Sequence, residues 1–61
     1  MKNKIVRLQS VINITGLSRS TIYALIKKNK FPQQLNLGER AVGWIEKEIE
    51  EWVDQKIKES R

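Results

Sequence analysis

Arg19, Ser20, Tyr23 and Lys27 stand at i, i+1, i+4 and i+8 of one short segment, a spacing that gathers them on one side of an α-helix. A guanidinium, a hydroxyl, a phenol and an ammonium share one capability. They donate hydrogen bonds to an anion, and the two cations add positive charge. Ser18 and Thr21 bring two more hydroxyls to the start of the same segment, where free backbone amides and the helix dipole also favour an anion. Lys28 and Lys30 follow at its end, and Arg40 stands apart in Gly38-Glu39-Arg40-Ala41. Catalysis is a poor match for this set. The chain has no His and no Cys, which removes thiol chemistry, disulfides and the usual zinc ligands. No metal and no cofactor are expected. Glu46, Glu48, Glu50 and Glu51 read as a charged helix face, without a partner arranged for acid–base work.

Duplex DNA is the anion that suits these groups. Arg19, in the first turn of its helix, is expected to reach base edges. A guanidinium there bonds O6 and N7 of guanine together, worth about 1–3 kcal/mol of discrimination. Ser20 or Thr21 is expected to hold a phosphate, and Tyr23 to bond a phosphate or stack on a sugar. Lys27, Lys28 and Lys30 suit backbone phosphates. Arg40 suits a narrow minor groove, where negative potential concentrates, or the phosphate beside it. A plainer reading stands next to each. Arg19 binds phosphate or is merely solvated, Thr21 only completes a cap, and Tyr23 covers the edge of the core. The lysines are a solvated charge run, and Arg40 pairs with Glu39 or Glu46. Trp44 and Trp52 read as core, since large aromatics are what a small domain needs.

The elements that must position these groups follow from periodicity and turn residues. Leu8, Val11, Ile12 and Ile14 supply the apolar side of a helix from about Gln9 to Thr15, which Gly16 stops by accepting the left-handed conformation. Leu17 packs inward from the turn. Ser18 caps a second helix reaching about Asn29, its hydroxyl placed to accept the amide of Ser20 or Thr21. Ile22, Leu25 and Ile26 make the buried stripe of that helix, opposite Arg19, Ser20, Tyr23 and Lys27. This is a helix-turn-helix, whose second helix enters the major groove. After Pro32 the period changes to two. Leu35-Asn36-Leu37 and Val42-Gly43-Trp44-Ile45 flank the turn Gly38-Glu39-Arg40-Ala41, forming a β-hairpin or wing. Val6-Arg7-Leu8 is expected to add a third short strand. A last helix runs from about Glu46 to Glu59, with Ile45, Ile49, Trp52, Val53, Lys56 and Ile57 along its inner side. Lys47 with Glu51, and Asp54 with Lys58, are placed for i, i+4 ion pairs.

Size and charge narrow the function. The 61 residues make a single domain over 1–61, with residues 1–5 as a flexible arm. A chain this small buries only about 60% of its unfolded surface, leaving no room for a deep catalytic cleft. An enzyme is therefore not expected. Residues 1–40 carry a net charge of +7, and residues 41–61 carry −2. A basic body with an acidic last helix predicts contact with a polyanion on one side. The start, Met1-Lys2-Asn3-Lys4-Ile5, lacks an apolar run long enough for a signal peptide or a membrane span. The expected setting is cytoplasmic and nucleoid-associated, with no membrane partner. A single small module covers one short half-site, so the chain is expected to act beside further copies on adjacent DNA sites.

Thr15 to Tyr23 (TGLSRSTIY), Phe31-Pro32, Leu37 to Trp44 (LGERAVGW) and Glu48 to Trp52 (EIEEW) together resemble the AlpA family of prophage regulatory proteins. The similarity runs from about Arg7 to Ile57. The resemblance implies a mainly α fold with a small β-hairpin and three helices, a winged helix-turn-helix related to MerR-like DNA-binding domains and to excisionases. It further implies that Ser18-Arg19-Ser20-Thr21 opens the recognition helix and that Gly38-Glu39-Arg40 makes the wing tip. Glu39 is a departure, since a second Gly is frequent there and a carboxylate opposes a phosphate. The function implied is sequence-specific binding of double-stranded DNA to regulate transcription of prophage or genomic-island genes. Integrase or RNA polymerase is a candidate partner. An excisionase that bends attachment-site DNA is the alternative within DNA binding. An adaptor whose basic face binds an acidic protein is the alternative outside it.

Overall fold

The computed structural model describes residues 3–61. Met1 and Lys2, part of the expected arm, lie outside the described residues. The elements run β1 (Ile5–Val6), α1 (Leu8–Thr15), α2 (Arg19–Lys27), β2 (Leu35–Gly38), β3 (Ala41–Ile45) and α3 (Glu46–Glu59). This is a small winged helix-turn-helix, with α1 and α2 as the paired helices and β2–β3 as the wing.

Helix α1 forms where Leu8, Val11, Ile12 and Thr15 recur at helical spacing. Val11 is fully buried, and Leu8 and Ile12 pack against the core. Ile14, expected on this side, is 36% exposed. It falls one residue short of the position that continues the stripe, and Thr15 takes that place. Gly16 ends the helix at φ 74°, with its N–H on the Ile12 carbonyl at 2.8 Å. The Thr15 side chain then stitches the turn. Its Oγ1 donates to the Val11 carbonyl at 2.8 Å and accepts the Leu17 N–H at 3.2 Å.

Helix α2 is shorter than the sequence suggests, ending at Lys27 rather than Asn29. Asn29 lies in the left-handed region at φ 59°, so the helix cannot continue through it. Its N–H bonds the Ile26 carbonyl at 3.0 Å, and the Lys30 N–H bonds the Leu25 carbonyl at 2.8 Å. These two bonds satisfy carbonyls that the helix end would otherwise leave open.

The sheet is antiparallel in the order β1-β3-β2. The wing strands lie where the alternation places them. The third strand is Ile5–Val6, pairing Ile5 with Ile45 and Val6 with Trp44, and not Val6-Arg7-Leu8. Leu8 is drawn into α1 because its side chain belongs to that helix's buried stripe, and Arg7 becomes the N-cap residue. The main chain of this N-terminal segment is also tied to α3, through the Glu46 N–H on the Lys4 carbonyl at 2.7 Å. Strand pairing puts Val6 and Trp44 on the core face, and both are buried. Gly43 lies on the other face under Ile5 and Leu37. A Cβ on Gly43 would stand 2.7 Å from Ile5 Cγ2, 2.9 Å from Leu37 Cδ1 and 3.0 Å from the Val6 carbonyl.

Helix α3 spans the expected residues and closes the core. Val6, Val11, Ile22, Phe31, Trp44 and Ile49 are the buried centre. Trp52 packs against it, its ring edge-on to Phe31 with centroids 4.8 Å apart. The inner stripe of α3 stops at Val53, for Ile57, expected inside, is 47% exposed. The two expected i, i+4 ion pairs do not form among the described residues. Lys56 instead reaches Glu59 at 3.2 Å, and Lys4 reaches Glu46 at 3.9 Å. Exposed pairs gain only a few tenths of a kcal/mol, too little to choose one partner over another. Gln55 and Lys56 both donate to the Glu59 carboxylate, which holds its pKa below the ordinary value.

Candidate nucleic-acid interface

The geometry of the α2 surface starts at Ser18. Its backbone is extended while its Oγ accepts the Thr21 N–H at 3.2 Å, which caps the helix. The same hydroxyl donates to Thr21 Oγ1 at 2.9 Å. Thr21 thus takes part in the cap through both its N–H and its hydroxyl, and its side chain remains at the exposed surface. Ser20 sits beside it, exposed, with no internal hydrogen bond among the described residues. All three hydroxyls crowd the positive end of the helix dipole.

Ile22 anchors the opposite side of α2 and is fully buried, with Leu25 and Ile26 packed beside it. This one-sided anchoring turns Arg19, Ser20, Tyr23 and Lys27 outward together, and all four are exposed. Tyr23 is 40% exposed, so its ring lies partly along the protein while its surface remains open. Arg19 and Lys27 form no ion pair among the described residues, since the ion pairs found there are Lys4–Glu46 and Lys56–Glu59. A free guanidinium and a free ammonium therefore stand at opposite ends of one exposed helix side, about 12 Å apart along the axis.

Lys28 and Lys30 fall beyond the last helical residue, on either side of the left-handed Asn29. They belong to the turn that leaves α2, not to its outer side. Their nearness in sequence groups them with Lys27, but the left-handed Asn29 separates them from the helix. The signal was available, because Asn is the residue other than Gly that most readily takes the left-handed position after a helix. Trp52 contributes a second unread feature. Its Nε1 donates to the Lys30 carbonyl at 2.9 Å, and Lys56 Nζ lies 5.5 Å from the centre of its ring. The exit of α2 is thereby fastened to α3. No residue spacing announces a bond across 22 positions.

Arg40 stands on a separate element, at the tip of the wing. Gly38 pairs with Ala41, leaving Glu39 and Arg40 as the loop. Arg40 is exposed and has φ 59°. It forms no ion pair among the described residues, and Glu46 is engaged with Lys4. The arrangement thus offers two presentations of positive charge, one along α2 and one at the hairpin tip. Charged and polar side chains are all outside the core among the described residues, so the basic groups are available to an external anion. Chemically the surface can donate and attract.

The family model described as "Prophage CP4-57 regulatory protein (AlpA)" matches residues 4–57. The chain is 41% identical over 56 residues to "Uncharacterized protein ORF88" of Enterobacteria phage P4, covering 92% of this chain and 64% of that protein. It is 43% identical over 61 residues to "DNA-binding transcriptional activator AlpA" of Escherichia coli (strain K12), covering 90% of this chain and 87% of that protein. The chain thus spans just under two thirds of the length of the phage protein. No solved structure matches it significantly.

Proposed function

The chain belongs to the AlpA family of prophage regulatory proteins, and from that premise we propose that it binds double-stranded DNA sequence-specifically and regulates transcription of prophage or genomic-island genes. One observation carries the reading: Arg19, Ser20, Tyr23 and Lys27 face outward together from a capped helix, and neither cation pairs with a carboxylate among the described residues. A helix presented this way fits the major groove, where its first turn reaches base edges and its flanks reach phosphates. Arg19 is the base-reading group, because a guanidinium in the first turn can meet guanine with two parallel bonds. Ser20 and the Thr21 hydroxyl hold the adjoining phosphate. Tyr23 and Lys27 follow the backbone along the helix, and Lys28 and Lys30 extend that contact past its end. Arg40 enters the neighbouring minor groove from the wing.

The protein acts in this reading by occupancy, without catalysis and without a cofactor. Its relative in Escherichia coli is named a DNA-binding transcriptional activator, which supports a regulatory outcome over a purely architectural one. The test is a binding selection from random duplex DNA at near-physiological salt. A recovered motif supports the reading. Protein that retains DNA without enriching any sequence contradicts its specificity, and protein that retains no DNA contradicts it altogether.

A further inference from the structure

Glu39 is the one residue of the basic half whose charge opposes a polyanion. It is the only carboxylate in residues 1–40, beside eight Lys and Arg, and the other six acids all lie in α3. It is exposed, and it forms no ion pair with Arg40 or with another cation among the described residues. The turn that holds it is fastened. The Gly38 N–H donates to Asn36 Oδ1 at 3.1 Å, Gly38 pairs with Ala41, and Arg40 closes the loop at φ 59°. Glu39 and Arg40 thus make the whole tip, with Cα atoms about 3.8 Å apart. A wing that puts Arg40 into the minor groove brings the Glu39 carboxylate to the same place.

We infer that Glu39 reads the N2 amino group of a guanine in the minor groove, on the base pair beside the one that Arg40 occupies. The inference rests on the DNA-binding reading above and on its wing. Chemistry leaves the carboxylate one partner. An ionised carboxylate only accepts hydrogen bonds, so phosphates, adenine N3 and thymine O2 all repel it. The guanine amino group is the one donor that base edges present in the minor groove. A hydrogen bond to it has an ionised acceptor and belongs to the stronger kind. On an A·T pair the same carboxylate loses water and gains only acceptors, a cost that rejects the wrong base pair. The two tip residues then divide the groove. The Arg40 guanidinium takes the narrow A·T side, and Glu39 marks the G·C pair at which that stretch ends.

Inosine is guanine without the N2 amino group, and its major-groove edge is unchanged. Each G·C pair in and beside the selected motif is replaced in turn by inosine·C, and each A·T pair by diaminopurine·T, which adds the amino group. The parent protein and Glu39→Ala are titrated on every duplex. At one pair the parent is expected to bind the duplex with the amino group at least about fivefold more tightly than the duplex without it. An inosine·C pair presents the minor groove of an A·T pair, which favours Arg40, so Arg40 alone gives the opposite sign. Glu39→Ala is expected to lose or reverse the preference, and to hold the duplex lacking the amino group at least as tightly as the parent does. Binding by the parent that ignores the amino group at every pair overturns the inference. So does a preference that Glu39→Ala retains. Arg40→Ala that binds every flank as the parent does places the wing outside the groove and overturns it as well. Failure of the parent to bind the selected duplex overturns the DNA-binding reading instead.

Discussion

Arg40 is the residue at which stability and function separate most clearly. A non-glycine residue in the left-handed region costs roughly 1–2 kcal/mol, and Arg40 sits there at φ 59°. Its side chain makes no compensating ion pair among the described residues. Strain of this kind persists where function uses it. Arg40→Gly relieves the strain but adds backbone freedom to the unfolded chain, worth about 0.5–1 kcal/mol. The expected result is a domain more stable by about 0.5–1 kcal/mol that binds DNA more weakly, most of all on A·T-rich flanks. Thermal unfolding and titrations on flank-varied duplexes check both halves. Lys27 belongs to the same scale. Lys27→Ala should weaken all sequences alike and lower the log–log salt slope by about 1. The outward set on α2 was legible in the sequence, because helical spacing and one buried stripe fix which side faces out. The strain at Arg40 was not, since a turn's length is readable but its dihedral angles are not.

At the scale of elements, the two ends of α2 show what sequence can and cannot announce. Ser18 was readable as a cap because Ser precedes an apolar-periodic run, and the Thr21 amide is the one it holds. Ser18→Ala should cost about 1 kcal/mol of stability, measured by chemical denaturation. It should also free the Thr21 hydroxyl from its partner. The far end falls two residues before the point that apolar periodicity alone predicts, because Asn29 takes the left-handed conformation that Asn favours after a helix. The edge strand β1 lies at Ile5–Val6, one residue before the alternation suggests. Val6-Arg7-Leu8 alternates as a strand does, but Leu8 gains more by joining the α1 stripe. Gly43 gives this scale its sharpest test. A Cβ there would collide with Ile5, Leu37 and the Val6 carbonyl, and the carbonyl is backbone, which moves with its strand. Gly43→Ala is expected to destabilise by about 1–3 kcal/mol, the range for overpacking. An unchanged midpoint in denaturant would contradict the tight β1–β3 stacking.

At the scale of the molecule, a basic body and an acidic last helix divide the surface by charge, as the sequence alone announces. The structure adds that Trp52 joins the two parts, its indole on the Lys30 carbonyl and its ring against Phe31. Long-range bonds of this kind are set by packing, and no local pattern encodes them. The charge division makes binding strongly dependent on salt. Contact with about six phosphates gives a log–log slope near −5, and a slope near zero would remove the polyanion from the account. The central claim, that α2 reads sequence through Arg19, is tested most directly by the affinities of the parent and of Arg19→Ala on the selected duplex and on a scrambled one. The account predicts a loss of about 1–3 kcal/mol on the selected duplex and much less on the scrambled one. Equal losses on both would contradict it, leaving Arg19 as a phosphate contact alone.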